Sequence, residues 1–392
     1  MKTIDFDDTE TAFELKSNIE LKRAYFLFKI ISYPFLVTLG KLIVSVSIKF
    51  RLPVDLIIKK TVFDHFCAGI DDSDSIRVVS LLASKNVNSY LHYSVEAAQS
   101  EETYEKCLKS TLKTIEISKN NPNLPFIVFK PTGYGSSELL EKKSKSISFT
   151  PIEQDQWNKM VNRFRKTFEK AKLSNVKVFV DAEESWIQPA IDDLVENFMI
   201  KFNNKEALIF NTIQMYRKGR LEYLKELKNK AIKGKFKVGI KLVRGAYMEK
   251  ERERAIKMKY SNPICDNKND TDQQYDDGVE FMFKHINLFS IFIGSHNEKS
   301  IEKAIAIAKK LLVPSNHKNL SFGQLYGMSD NLTFSLAKNK YNSIKYLPYG
   351  PVKEVIPFLI RRAEENTSVS GQTNRELNLI ESEVNRRNKV SI

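Results

Sequence analysis

Eight short apolar runs, each followed by an amphipathic helix pattern, constrain the fold of this chain more than any other feature. The runs occupy residues 87–96, 125–133, 176–184, 207–214, 238–247, 288–297, 319–328 and 343–350. Strands that alternate with helices pair in parallel. Eight such units within about 280 residues are typical of a (β/α)8 barrel. We therefore predict an α/β protein with a TIM-type barrel, and a doubly wound parallel sheet is the alternative.

Helix-capping signals between the runs support this interpretation. Thr150 is placed to cap a helix, Pro151 suits its first position, and Glu153 completes a capping box. The first 80 residues also have helical patterns but belong to no strand–helix unit. We predict an N-terminal helical arm or cap over residues 1–80 and a barrel catalytic domain over residues 81–392.

The composition leaves two kinds of partner open. The net charge is +14, and the lysines are spread along the chain. A basic surface can attract anionic membranes or nucleic acid, or serve solubility alone. The most apolar segment, Tyr25–Phe50, contains lysines and is broken by Pro34, whereas a spanning helix needs about 20 uninterrupted apolar residues. Packed helices, or a helix lying in the membrane interface, therefore fit this segment better than a spanning helix.

Metal and nucleotide motifs are missing from the sequence. Cys67, Cys107 and Cys265 are far apart and form no CxxC, so neither a zinc site nor a disulfide framework is indicated, and a reducing compartment fits best. No Walker A, HExxH, GxSxG or complete GxGxxG motif occurs. The acidic stretch 266–278 lacks the glycine spacing of a calcium-binding loop. We predict no metal site and interpret this stretch as a mobile loop.

Residues that can do chemistry follow most of the predicted strands. Barrel enzymes carry their catalytic groups at the carboxyl ends of the strands. The sequence therefore predicts an active site at that end of the barrel. The strand-end residues are Lys130, Asp181 with Glu183 and Glu184, Gln214, residues 241–247, Ser295, His296, Asn297 and Tyr326.

The segment GPVKEVIPFLIRRAEEN, residues 350–366, has apolar residues at helical spacing, but Arg361 and Arg362 interrupt the apolar face. A buried guanidinium requires an anion, which here is either an internal carboxylate such as Asp181 or a bound one. Phe358 lies one helical turn before both arginines, and Lys130 adds a third cation. This pattern favours a pocket for a small molecule with an apolar body and a carboxylate.

Seven motifs, in chain order, resemble those of the proline dehydrogenase family. They are FKPTG, DAEESW, NTIQMYR, GIKLVRGAYMEKERERA, SHN, FGQLYGMSD and YLPYGPVKEVIPFLIRRAEEN, and the likeness runs from residue 61 to residue 377. The resemblance implies a distorted barrel that holds FAD. It also implies oxidation of L-proline to Δ1-pyrroline-5-carboxylate by hydride transfer to flavin N5. Electrons would then pass to a membrane quinone, in the first step of proline catabolism to glutamate.

The resemblance further implies the groups that hold proline. Arg361, Arg362 and Lys130 would bind the carboxylate, and Asp181 would hold this charge network together. The walls of the site would be Tyr247, Leu332, Tyr346 and Phe358.

The cofactor contacts are implied in the same way. Lys241 would lie near flavin N5, where a cation stabilises the charge that arrives with the hydride, and Gln214 would bond the flavin ring. Other cofactor contacts would come from Arg244, Gly245, Ala246, Tyr247, Ser295, His296, Asn297, Gln324 and Tyr326.

One position departs from the family pattern. Many members have tyrosine where this chain has Phe358, so a hydroxyl is lost and substrate preference is open. A hydroxyproline dehydrogenase on the same scaffold is one alternative, although the bulk of Tyr346 argues against it. A non-catalytic, basic protein that binds membrane or nucleic acid is the other alternative.

The start of the chain bears on its location. The segment MKTIDFDDTE is acidic and lacks the basic-then-apolar form of a signal peptide. We predict a bacterial cytoplasmic enzyme that contacts the inner membrane peripherally, or a mitochondrial one if the source is eukaryotic.

Overall fold

The computed structural model describes residues 4–50, 58–93, 100–368 and 372–390. Eight parallel strands close into a barrel in chain order. Each strand lies within one of the eight apolar runs, so the predicted barrel is confirmed and the doubly wound sheet is wrong. The strands are β1 (Val87–Tyr93), β2 (Phe126–Phe129), β3 (Lys177–Val180), β4 (Ile209–Gln214), β5 (Val238–Val243), β6 (Phe289–Gly294), β7 (Leu320–Leu325) and β8 (Ser343–Tyr349).

Helices precede the first strand and follow every strand. A π-helical turn at Lys59–Phe63 and a 3-10 turn at Pro131–Gly133 supplement them. The helices are α1 (Thr9–Phe13), α2 (Asn18–Ile31), α3 (Pro34–Lys49), α4 (Asp64–Phe66), α5 (Asp72–Ala83), α6 (Glu101–Lys119), α7 (Ser137–Ser144), α8 (Pro151–Ser174), α9 (Gln188–Phe202), α10 (Arg220–Gly234), α11 (Met248–Met258), α12 (Lys268–Lys284), α13 (Glu298–Lys310), α14 (Asp330–Lys338), α15 (Val352–Ser368) and α16 (Gln372–Val390).

The strands are buried along nearly their whole length, as expected for a parallel barrel enclosed by helices. Every residue of β4 and β8 is buried. An aromatic cluster links three strands, with ring centroids 4.4 Å apart for Phe126 and Phe179 and 4.7 Å apart for Phe179 and Phe292. Glycine is required at position 323 of β7, because an added Cβ would lie 2.1 Å from Cζ of Phe292.

The predicted capping box is present at the start of α8. The Thr150 side chain accepts from the Glu153 amide, and the Glu153 side chain accepts from the Thr150 amide. The acidic stretch 266–278 corrects a prediction. It is mostly helical, because Asn267 caps α12 and accepts from the Asp270 amide.

Contacts divide the chain into two compact units, residues 1–96 with 324–392, and residues 97–323. In the first unit, the N-terminal helices pack on the C-terminal helix. Phe13, Leu21 and Phe28 share an apolar cluster with Leu379 and Ile380. The two ends of the chain therefore form a common core within this unit.

A buried charge network lies in the same unit, at the start of α14. Asp330 pairs with Lys16 at 3.0 Å and with Lys345 at 2.8 Å. Burial raises the pKa of Asp330, but the two lysines outweigh it and hold that pKa below its ordinary value. The neighbouring Ser329 amide donates to Oε1 of Glu376 at 2.5 Å. Burial raises the pKa of Glu376 to about 7.

The segment Tyr25–Phe50 contains the second half of α2 and all of α3, and Ser32 and Tyr33 separate the two helices. Large apolar side chains of α2 and α3 are exposed, among them Phe26 at 63%, Leu42 at 61% and Ile43 at 54%. Within the described part of the chain, no helix combines the length and apolarity needed to cross a bilayer.

Stability should depend on pH through Glu376. Its pKa in the folded state lies above the ordinary value of 4.5, so the native state loses stability as pH rises between these two values. Glu376→Gln removes this loss while keeping an acceptor for the Ser329 amide. We expect the difference in unfolding free energy between the variant and the parent to grow by about 2 kcal/mol, in favour of the variant, from pH 5 to pH 8. Urea unfolding at the two pH values measures this difference.

The control is Glu381→Gln, a change at an exposed position of the same helix. It should leave the pH dependence of the parent unaltered. The prediction is contradicted if Glu376→Gln and the parent differ in unfolding free energy by the same amount at pH 5 and at pH 8.

Candidate active site

Lys241 and Asp181 form an ion pair that joins β5 to the end of β3, the two strands on either side of β4. Lys241 lies in β5 and Asp181 directly follows β3, and Nζ of the lysine donates to Oδ1 of the aspartate. The side chains are 8% and 17% exposed. The Lys241 ammonium also lies 5.1 Å from the ring centroid of Phe179. The structure thus brings together two predicted site residues whose pairing the sequence did not indicate.

Gln214, the last residue of β4, is held by backbone groups. Its Nε2 donates to the Glu183 carbonyl at 2.7 Å, and its Oε1 accepts from the Ala246 amide at 3.2 Å. The amide plane is therefore oriented by the segments that follow β3 and β5. A group held in this way is preorganised to bond a ligand with its second N–H.

Arg244 connects the segment after β5 to the start of α13. Its guanidinium donates to Asp272 at 2.7 Å, to Oγ of Ser295 at 2.9 Å and to Oγ of Ser300 at 2.9 Å. Asn297 caps α13 and accepts from the Ser300 amide at 3.1 Å. Three predicted cofactor residues, Arg244, Ser295 and Asn297, are thus neighbours. Gly245, which directly follows Arg244, adopts a φ of +142°. An added Cβ at this position would lie 2.3 Å from the Tyr216 ring.

Tyr247 contacts a carboxylate to which sequence reasoning assigned no role. Its hydroxyl donates to Oε2 of Glu183 at 3.3 Å. The other oxygen of Glu183 accepts from Oγ1 of Thr132 at 2.7 Å, in the turn that follows Lys130. Burial raises the pKa of Glu183, and the positive charge of Lys130 opposes this effect. The DAEE stretch after a strand was the only signal for this residue.

The first unit places three predicted substrate residues together. The Phe358 ring centroid lies 6.1 Å from that of Tyr346, and the Arg362 guanidinium carbon lies 5.1 Å from the Phe358 centroid. Phe358 and Arg362 are buried, and Arg361 is half-buried. The helical spacing of Phe358 and Arg362 is confirmed. An apolar ring beside a guanidinium is suited to a small carboxylate with an apolar body.

Sequence reasoning missed His92. It is buried in β1, and its Nδ1 shares a hydrogen bond with the Tyr346 hydroxyl. This contact fixes the orientation of the phenol. A histidine in the first apolar run was its only signal, and a lone histidine is too common in protein cores to indicate a site.

The remaining predicted residues of the first unit lie around β7 and α14. Gln324 accepts from Oγ1 of Thr333 at 2.9 Å, and the Tyr326 amide donates to the Tyr346 carbonyl at 3.0 Å. Leu332 is buried in α14. In the second unit, His296 is half-buried before α13. The predicted clamp of Lys130 with Arg361 and Arg362 stays a prediction.

The donor chemistry of the second unit suits a dinucleotide cofactor. A buried lysine lies within β5, an oriented amide ends β4 and an arginine follows β5. The N-terminus of α13 favours anions such as a pyrophosphate. Arg244 has five N–H groups, of which three make the bonds described above. Among the described residues, no cluster of histidine, cysteine or carboxylate side chains is arranged to hold a metal ion.

A family model described as proline dehydrogenase matches residues 76–375, which is most of the chain. The chain belongs to the proline dehydrogenase family. The resemblance of the seven motifs is thereby confirmed, and so is an enzyme of the proline dehydrogenase type, an oxidoreductase on a TIM barrel.

Curated relatives of this proline dehydrogenase family member cover most of its length. The carbapenem antibiotics biosynthesis protein CarD of Pectobacterium carotovorum is 34% identical over 79% of this chain and 80% of its own. The mitochondrial proline dehydrogenase 1 of Dictyostelium discoideum is 31% identical over 97% and 74%. The hydroxyproline dehydrogenase of Xenopus laevis is 30% identical over 96% and 88%.

The fold is also similar to that of solved structures. Proline utilization A from Bdellovibrio bacteriovorus, inactivated by N-propargylglycine, superposes with a TM-score of 0.70 at 18% identity. The likeness covers 94% of this chain and 37% of the other, so the chain spans little more than a third of that protein. At this identity the likeness supports the barrel fold alone.

Replacing Lys241 tests the ion pair directly. Lys241→Met leaves the Asp181 carboxylate without its ammonium partner in a mostly buried place. Removing one partner of such a pair should cost about 3–5 kcal/mol, measured by urea unfolding. The double variant Lys241→Met/Asp181→Asn should recover most of this loss, because it leaves no carboxylate to compensate. An unchanged urea midpoint in the single variant would show that the pair does not form.

Proposed function

We propose that this enzyme oxidises L-proline to Δ1-pyrroline-5-carboxylate with FAD, and that a membrane quinone receives the electrons. The reaction would be the first step of proline catabolism to glutamate. Family membership supports proline oxidation in general terms. The observation that carries the proposal further is the arrangement of Tyr346, Phe358 and Arg362, because it joins two aromatic walls to a buried cation.

Bound FAD would supply the redox chemistry by accepting, at N5, the hydride from the proline carbon next to nitrogen. The protein residues would supply placement and charge. Lys241 would stabilise negative charge on the flavin ring, and Gln214 would orient that ring. Further contacts would come from Arg244, Gly245, Ala246, Tyr247, Ser295, His296, Asn297, Gln324 and Tyr326.

Proline itself would be held by its carboxylate. We assign that role to Lys130, Arg361 and Arg362, because the guanidinium fork matches a carboxylate. Asp181, paired with Lys241, would maintain the charge balance of the site. Tyr247, Leu332, Tyr346 and Phe358 would enclose the ring. These contacts would hold the proline ring in one orientation toward the flavin, which lowers the entropic cost of reaching the transition state.

Hydroxyproline is the second candidate substrate, because the Xenopus laevis relative is named a hydroxyproline dehydrogenase. Phe358 lacks the hydroxyl that a tyrosine would offer. Tyr346 is fixed by His92, so its bulk would not move aside easily for a substituted ring. We therefore favour proline.

An anaerobic absorbance titration tests the proposal. The purified enzyme should show flavin bands that bleach with L-proline and bleach more slowly with hydroxyproline. Arg362→Met should raise the KM for proline at least about 30-fold, since a lost charged hydrogen bond costs roughly 2–4 kcal/mol, while flavin remains bound. The control Arg386→Met changes a partly exposed arginine of α16 and should leave KM within about twofold of the parent, the normal effect of a surface change.

Three outcomes contradict parts of the proposal. A colourless protein that takes up no FAD would show that the enzyme does not use a flavin. Faster bleaching with hydroxyproline would show that hydroxyproline is the preferred substrate. Normal proline kinetics in Arg362→Met would show that α15 does not bind the proline carboxylate.

Contact with an anionic bilayer would bring the enzyme to its quinone. The exposed residues of α2 and the following Tyr33 form one helical stripe, in which Phe26, Ile30 and Tyr33 alternate with Lys22 and Lys29. Residues 21–50 contain five lysines and arginines and no aspartate or glutamate. Exposed apolar side chains with lysines beside them are typical of helices that lie in the membrane interface. We propose that α2 and α3 form this contact.

We also propose a domain division and a location for this enzyme. Residues 1–80 would form the helical arm and residues 81–392 the catalytic domain. The enzyme would work in the bacterial cytoplasm, at the surface of the inner membrane.

Liposome sedimentation tests this contact with the full-length enzyme. Phe26→Ser/Leu42→Ser/Ile43→Ser should weaken binding to phosphatidylglycerol vesicles at least about tenfold, because three apolar side chains no longer insert. The control is Leu173→Ser/Ile256→Ser/Leu312→Ser, which removes apolar side chains that are even more exposed and lie on other helices or loops. Equal binding by the two triple variants would show that α2 and α3 are not the contact.

A further inference from the structure

Glu183 connects the segments at the carboxyl ends of four consecutive strands, β2 to β5. Its amide donates to Oε1 of Gln188 at 2.8 Å, and its carbonyl accepts from Gln214 at 2.7 Å. One carboxylate oxygen accepts from Thr132, at 2.7 Å from the hydroxyl and 3.3 Å from the amide. The other oxygen accepts from the Tyr247 hydroxyl at 3.3 Å. The backbone of Glu183 is therefore fixed, and its side chain joins two other loops.

The carboxylate is almost fully buried, with 3% of the residue exposed. Burying such a group is unfavourable unless hydrogen bonds compensate it. Thr132 and Tyr247 supply three donors, and they come from segments 115 residues apart in the chain (132 to 247). Because both segments bond to one carboxylate, a shift of either segment disturbs the other.

These two segments carry residues with proposed roles at the substrate. Thr132 lies two residues after Lys130, to which we assign the proline carboxylate, and Tyr247 is assigned to the wall of the proline site. Neither Lys130 nor Tyr247 is fixed by a regular element, because one precedes a short 3-10 turn and the other follows the Gly245–Ala246 turn. A carboxylate between the two turns can set the spacing of their side chains.

We propose that Glu183 is a positioning residue for substrate binding. It holds the Tyr247 hydroxyl and the Lys130–Thr132 turn on the two oxygens of one carboxylate, and so sets the width of the site between them. This inference rests on the proposed function, since it takes a proline-like ring as the ligand. It differs from a purely structural role, in which the hydrogen bonds stabilise the barrel and ligand affinity does not depend on them.

A double-mutant cycle distinguishes the two roles. The variants are Glu183→Ala, Tyr247→Phe and their combination, all in the FAD-loaded full chain. The readout is the Kd of tetrahydrofuran-2-carboxylate, an oxygen isostere of proline that cannot form the imine, followed by its effect on flavin absorbance. Urea unfolding is measured in parallel.

Glu183→Ala should weaken binding of the isostere at least about tenfold, because both turns lose their common anchor. Tyr247→Phe alone should raise the Kd of the isostere several-fold. In the Glu183→Ala background it should raise the Kd less than about twofold, because the partner of the Tyr247 hydroxyl is already absent. Glu183→Gln should restore affinity to within about threefold of the parent, because its amide can accept from Thr132 and donate to the phenol oxygen.

Glu249→Gln is the matched control, because it makes the same chemical change two residues after Tyr247. Glu249 is an exposed residue of α11. Its replacement should leave the Kd of the isostere within about twofold of the parent.

If Glu183→Ala does not fold or retain flavin, the cycle is run with Thr132→Val and Tyr247→Phe. These two changes remove one donor each from the shared carboxylate, so their effects on Kd should be non-additive. Additive effects in either cycle, or a lowered urea midpoint with unchanged Kd, overturn the inference and leave a structural role. A parent enzyme that proline does not reduce overturns the proposed function, and this inference with it.

Discussion

Parallel hydrogen bonding around the barrel is the constraint on which the rest of this structure depends. Parallel strands all end on the same rim, so each loop that follows a strand lies beside the loop that follows its neighbour. In the second unit this places Gln214 between the backbones that follow β3 and β5, and places Lys241 next to Asp181. The parts of such a site come from different strands, so no single segment of the sequence contains them all.

The burial of charge is the second constraint, and it explains why the polar residues occur in connected groups. A lone buried lysine or arginine would be strongly unfavourable, and several of these groups have carboxylate partners. Lys241 pairs with Asp181, Arg244 with Asp272 and two serines, and Lys345 with Asp330. These groups hold loops in place at the same time as they balance charge. Charge balance and local stability therefore depend on the same hydrogen bonds.

Much of this organisation could be predicted from residue patterns. The eight apolar runs predicted the eight strands, and the Thr150 and Glu153 pair predicted the start of α8, because both depend on short-range periodicity and capping. The acidic stretch at 266–278 was interpreted wrongly, since its polarity suggested a loop while its Asn267 cap indicated a helix. Within the candidate site, the proximity of Phe358 and Arg362 was predictable because both lie on one helix.

The sequence by itself determined the alternation of strands and helices, the barrel class and the proline dehydrogenase family. Only the tertiary structure decided which side chains meet: Lys241 with Asp181, His92 with Tyr346, and Glu183 with Thr132 and Tyr247. The reason is physical. Periodicity and capping act over a few residues, whereas these pairs join positions 51 to 254 residues apart. Their partners are selected by strand register and side-chain direction once the barrel has closed.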